Sequence, residues 1–84
     1  MSEWEFDLLD ELYFVQPYTY LEKTLQWPQE QILSTLQSLY TKGYLRCLHN
    51  VSEEVPQAEV DLPAQFTNYH YLATKAGLLA HNTR

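Results

Sequence analysis

Apolar and acidic positions separate by side over residues 2–15. Trp4, Leu8, Leu12 and Val15 recur at helical spacing with Phe6, Leu9 and Tyr13 beside them, while Glu3, Asp7, Asp10 and Glu11 take the opposite face. Ser2-Glu3-Trp4-Glu5 has the spacing of a capping box, in which the serine oxygen takes the N3 amide and the glutamate reaches back to the serine amide, so a helix is predicted to begin there. Pro17 breaks it, because proline lacks the amide hydrogen that a helix interior needs. Thr19-Tyr20-Leu21-Glu22 repeats the capping spacing and predicts a short second helix, with Leu21 and Leu25 one turn apart, ending near Gln26. A third helix is predicted over residues 28–42, since Pro28 suits a first helical position and Glu30 the positive first turn. Ile32, Leu33, Leu36, Leu39 and Tyr40 form its apolar stripe, and Lys42-Gly43 supplies a cation and then a residue able to take positive φ.

Beyond Gly43 the period changes. Tyr44-Leu45-Arg46-Cys47-Leu48 is rich in strand formers, and a second strand is predicted over residues 66–72, where Tyr69 and Tyr71 alternate with His70. The two are predicted to pair as an antiparallel hairpin. Residues 52–64 between them hold Glu53, Glu54, Glu59 and Asp61, with Pro56 and Pro63 and no base, and predict a mobile loop longer than compact domains usually carry. Thr74 then caps a short C-terminal helix through Lys75-Ala76-Gly77-Leu78-Leu79-Ala80.

At 84 residues the chain is long enough for one hydrophobic core and one domain. Its hydrophobic fraction of 45% excludes disorder through lack of apolar residues. Eleven acids against five bases give a net charge of −6, which points away from polyanionic partners unless the bases cluster. A single cysteine, Cys47, makes no disulfide within the chain, and the opening residues carry acids where a secretory signal has bases and an apolar run, so a cytoplasmic location is expected. No apolar stretch approaches the roughly 20 residues needed to span a bilayer, so no membrane partner is expected.

The predicted order places the chain in the α+β class: three helices, a β-hairpin and a terminal helical turn. This order resembles the winged helix-turn-helix family. Leu21 and Leu25 on the second helix, Trp27 in the turn, Ile32 on the third helix, then Leu36-Gln37-Ser38-Leu39 and Lys42-Gly43-Tyr44-Leu45 match the spacing that recurs in that family from its second helix to its first wing strand. Tyr71-Leu72-Ala73-Thr74-Lys75-Ala76-Gly77 is similar to the segment that leaves the wing in many bacterial winged-helix repressors. Together these stretches cover roughly half of the chain.

The resemblance implies a non-enzymatic binding module in a transcription-related setting, and two functions follow from it. In one, a small dimeric regulator lays the helix over 28–42 in the major groove, with Gln29, Gln31, Ser34, Thr35 and Ser38 toward base edges and Lys23 and Lys42 toward phosphates. In the other, the domain binds a protein. The acidic wing residues Glu53, Glu54, Glu59 and Asp61 and a patch of Tyr18, Tyr20, Tyr69 and Tyr71 then meet a basic or aromatic partner. The second is the leading expectation, because the wing carries four acids where the family often lays bases. Cys47 and His49 on one strand, with His70 on its partner, could make part of a soft-metal site; without a second cysteine, a paired histidine on a helix or a ligand-rich terminus, a buried thiol and surface histidines are expected, with no metal and no cofactor. No GxSxG, glycine-rich phosphate loop or His-Glu pair at metal spacing is present, so no catalytic residue is expected.

Overall fold

The structure, a computed structural model, describes residues 1–83. Its elements in chain order are α1 (Glu3–Asp10), β1 (Gln16–Pro17), α2 (Tyr18–Leu25), α3 (Gln29–Thr41), β2 (Leu45–Leu48), a 3-10 turn (Gln57–Glu59), α4 (Leu62–Gln65), a second 3-10 turn (Phe66–Asn68), β3 (His70–Ala73) and α5 (Lys75–Asn82). The strands form an antiparallel sheet in the order β1-β3-β2, and the fold is of the mixed α+β class. In the register of the sheet, Cys47 faces Tyr71, Leu48 faces His70 and Gln16 faces Tyr71 from the other side.

α1 starts as its capping box requires: the Glu5 amide donates to Ser2 Oγ (3.1 Å) and the Ser2 amide to Glu5 Oε1 (2.8 Å). It is shorter than the predicted span to Val15, because the chain is drawn off into the sheet. The Leu12 carbonyl accepts the Ala73 amide (2.9 Å), and the chain bends at Tyr13 and Phe14 before entering β1. The capping box predicted at Thr19 is absent. α2 begins two residues earlier, with Pro17 as an N-cap that offers no side-chain bond and the Tyr18 amide donating to the Tyr69 carbonyl instead (3.2 Å). At its far end Gln26 takes a left-handed conformation (φ 58°), which non-glycine residues seldom adopt.

Leu8, Leu9, Leu12, Leu21, Ile32, Leu36 and Leu39 are fully buried around Tyr71, each buried leucine contributing about 1.5–3 kcal/mol relative to exposure. Leu25 and Trp27 pack half-buried against this cluster, so the corner between α2 and α3 closes as the spacing of its apolar residues predicts. Trp4 departs from expectation: it remains about half exposed and meets Trp27 edge to face, with ring centroids 4.8 Å apart.

Residues 52–64 are more structured than a mobile loop. The chain turns at Asn50, whose side-chain oxygen accepts the Ser52 and Glu53 amides, and then folds back on β2 through an isolated bridge between Leu48 and Glu54. Val55 and Leu62 are buried beneath it, which supplies the apolar contact that an acid-rich stretch did not advertise. The strand predicted over 66–72 begins only at His70, because Asp61 caps the Ala64 amide and starts helix α4, which passes directly into the second 3-10 turn.

Gly77 on α5 packs directly on the Tyr44 carbonyl, where a Cβ would collide with the oxygen. Gly77→Ala is therefore expected to destabilise the fold by roughly 1–3 kcal/mol despite the better helix propensity of alanine. Gln26→Gly is expected to act in the opposite direction, stabilising by up to about 1 kcal/mol by relieving the left-handed residue. Chemical denaturation of the two variants measures both signs.

Candidate interaction surface

α3 presents Gln29, Glu30, Ser34 and Thr41 to solvent and buries Ile32, Thr35, Leu36 and Leu39. Thr35 is thus removed from the outward set. Its hydroxyl donates to the Gln31 carbonyl (2.7 Å) and accepts from Gln31 Nε2 (3.0 Å), because the helix turns this position toward α1. Gln31 is half-buried and spends its amide on that bond.

Ser38 and Lys42 are also committed internally. Ser38 Oγ donates to Glu5 Oε2 (2.8 Å), and Lys42 Nζ donates to the same oxygen (2.7 Å). Glu5 is buried at the α1–α3 contact, and its other oxygen serves the Ser2 amide. Burial alone would push this carboxyl up. The Lys42 hydrogen bond, the Ser2 amide, the Ser38 hydroxyl and the Lys42 charge together outweigh it and hold the carboxyl at about 2. One carboxylate of α1 therefore satisfies the side chains of α3 that a phosphate-binding surface would need.

The remaining bases are sparse. Arg46 of β2 pairs with Glu54 of the segment that follows (3.4 Å), both ends largely exposed. Lys23 stands exposed in the last turn of α2 and Lys75 at the start of α5, while Arg84 lies outside the described residues. The acids Glu53, Glu54, Glu59 and Asp61 of the segment after β2 are all exposed.

Three of the four tyrosines expected at a surface patch lie inside instead. Tyr18, Tyr69 and Tyr71 are buried, Tyr18 with its ring edge against Phe66, and the hydroxyls of Tyr69 and Tyr71 fasten the segment leading into β3. Tyr71 Oη donates to the Phe66 carbonyl (2.6 Å), and Tyr69 Oη accepts the Asp61 amide (3.1 Å). Only Tyr20 stands at the surface, donating to Glu11 Oε1 (2.8 Å).

Cys47 is buried, and burial first, then the charge of Glu54, pushes its thiol up to about 12, which leaves it protonated and a poor metal ligand. It faces Tyr71, whereas His70 faces Leu48, so Cys47 and His70 occupy opposite faces of the sheet. Among the described residues no group of three or more His, Cys, Asp or Glu is placed to hold a metal ion. Among them, too, no helix is long and apolar enough to cross a membrane.

Sequence reasoning placed Glu5 in the capping box but gave it no second role, since nothing local signals a lysine 37 residues away. It also missed a cluster at the α1–α5 contact, where Phe6, Asp10 and Tyr13 surround His81. No known protein family matches the chain, nor does any curated protein or solved structure.

Glu5→Gln tests the carboxylate directly. A carboxyl held below its unfolded value stabilises the fold above about pH 4.5, and that stability is lost as pH falls toward 2. The variant is expected to be less stable at neutral pH and to show a shallower loss of stability between these limits. Acid titrations of thermal stability on the two proteins read the difference.

Proposed function

We propose that the chain is a winged-helix module that binds a protein rather than DNA. The topology supports the winged-helix assignment. A short strand between the first two helices joins the far side of a hairpin that follows α3, giving the order β1-β3-β2, and α5 closes the domain against α1.

The observation that carries the choice of partner is the capture of Lys42 and Ser38 by Glu5. With Arg46 also paired to Glu54, the cations left to meet phosphates among the described residues are Lys23 and Lys75. Two phosphate contacts correspond to a salt slope of only about −1.8, and the exposed face of α3 adds Glu30 and no base. Against that weak grip stand four exposed wing carboxylates, which repel a duplex and attract a basic protein surface. Helix α1 adds further exposed carboxylates, Asp7 and Asp10, and a half-exposed Trp4. A basic partner with an apolar or aromatic contact is the chemistry that fits this surface.

Titration of the chain into labelled random duplex DNA at 50 mM salt tests the reading, with an expected dissociation constant weaker than about 10⁻⁴ M. Replacing Glu53, Glu54 and Glu59 by Gln and Asp61 by Asn is expected to strengthen residual DNA binding without changing the fold. The same replacement should slow association with a basic protein partner and reduce its salt dependence. Submicromolar, sequence-selective DNA binding that is lost in Gln29→Ala or Ser34→Ala would instead establish a DNA-binding regulator.

A further inference from the structure

We propose that the cleft between α1 and α3 seats an arginine side chain of the protein partner. Trp4 and Glu5 of α1 and Gln31, Ser34, Thr35 and Ser38 of α3 line it, and its volume is about 300 Å³. That is the lower end of the range for ligand sites, room for one long side chain and not for a cofactor. The proposal rests on the protein-binding reading above and gives it a point of contact.

The hydrogen bonds already made within the cleft decide what it accepts. Thr35 gives its hydroxyl proton to the Gln31 carbonyl (2.7 Å), so its bond with the Gln31 side chain must be received from Nε2 (3.0 Å), which leaves Gln31 Oε1 an open acceptor. Ser38 gives its proton to Glu5 Oε2 (2.8 Å), where Lys42 Nζ also donates (2.7 Å). Glu5 Oε1 receives the Ser2 amide (2.8 Å) and keeps a second lone pair. Apart from the second N–H of Gln31 and the exposed Ser34 hydroxyl, the side-chain donors of the lining are committed inside the protein. Gln31 Oε1, Glu5 Oε1 and Ser38 Oγ still accept. A group made only of donors matches that surplus, and guanidinium carries five N–H donors and no acceptor.

The aromatic wall and the local charge favour the same group. Trp4 is about half exposed and held edge to face against Trp27, ring centroids 4.8 Å apart, so the orientation of its indole is set before a ligand arrives. Indole attracts cations more strongly than the other aromatic side chains, and a planar guanidinium stacks on it as an ammonium cannot. The amino-terminal ends of α1 and α3 oppose a cation with roughly half a positive charge each. Glu3 and Glu5 in the first turn of α1 and Glu30 in the first turn of α3 stand against them. Lys42 offsets one of these three carboxylates, and the other two still exceed the dipoles.

Titration of the ¹⁵N-labelled whole chain with Nα-acetyl-arginine N-methylamide at constant ionic strength tests this. The Trp4 indole N–H and the Ser34 and Ser38 amides are expected to shift together along one millimolar binding curve. The citrulline derivative, similar in shape but uncharged and carrying an acceptor oxygen, is expected to bind at least about tenfold more weakly. Trp4→Leu keeps an apolar wall without the π face and is expected to weaken arginine binding about threefold. Equal binding of the two derivatives, a Trp4 indole that does not respond, or an unchanged affinity in Trp4→Leu would overturn the proposal. A silent cleft combined with slower association of a basic protein after neutralisation of Glu53, Glu54, Glu59 and Asp61 strikes the seat and leaves the protein-binding reading standing. A responsive cleft combined with tight, sequence-selective DNA binding strikes the protein partner and keeps the guanidinium site.

Discussion

The fold hangs on β3. Four residues long, it is the middle strand of the sheet, and both of its edges are occupied: β2 pairs along one side and β1 along the other. Its flanks also tie in chain that belongs to no strand. The Ala73 amide bonds the Leu12 carbonyl at the end of α1, the Tyr69 carbonyl bonds the Tyr18 amide at the start of α2, and the Thr74 amide bonds the Tyr44 carbonyl before β2. Hydrogen bonds buried in this way are costly to lose, since each orphaned group would forfeit its solvation as well. Tyr71, fully buried at the centre of the strand, then gives the surrounding leucines a common surface to pack on.

That dependence explains why the segment between β2 and β3 is not free. The segment from Ser52 to Phe66 is held at intervals by groups that belong to the core: Val55 in its apolar contact, Tyr69 through the Asp61 amide and Tyr71 through the Phe66 carbonyl. The carboxylates point outward because the backbone between them is pinned inward. Charge display and core packing are thus two sides of one segment, and a change to either tyrosine alters the surface as well as the interior.

Much of the helical skeleton was legible in the sequence because its signals are local. The Ser2–Glu5 capping box, the stripe of Ile32, Leu36 and Leu39, Gly43 after α3 and Thr74 before α5 each act within a few residues, and each stands where expected. The misses share a cause. β1 has two residues and no pattern of its own, and it exists only because β3 offers an edge to Gln16 and Pro17. The tyrosines read as surface anchors because their residue type is ambiguous, and only the chain folded over them settled the matter. Within the candidate surface, Gln29, Ser34 and the wing acids were legible as solvated positions. The loss of Thr35, Ser38 and Lys42 was not, because it depends on where α1 crosses α3.

The segment after β2 has one more effect, on the sheet itself. An open sheet presents two edges, and an unpaired edge invites a strand from another molecule. Here one edge is β1, which is short and ends in a proline that cannot donate a ladder bond. The other is β2, where the Val55 amide donates to the Cys47 carbonyl (2.9 Å) and the His49 amide to the Glu53 carbonyl (2.7 Å), so the returning chain takes up the ladder before a foreign strand can. Arg46 and Glu54 place charge along the same margin. The stretch that carries the acids therefore also works as a guard against edge-to-edge aggregation.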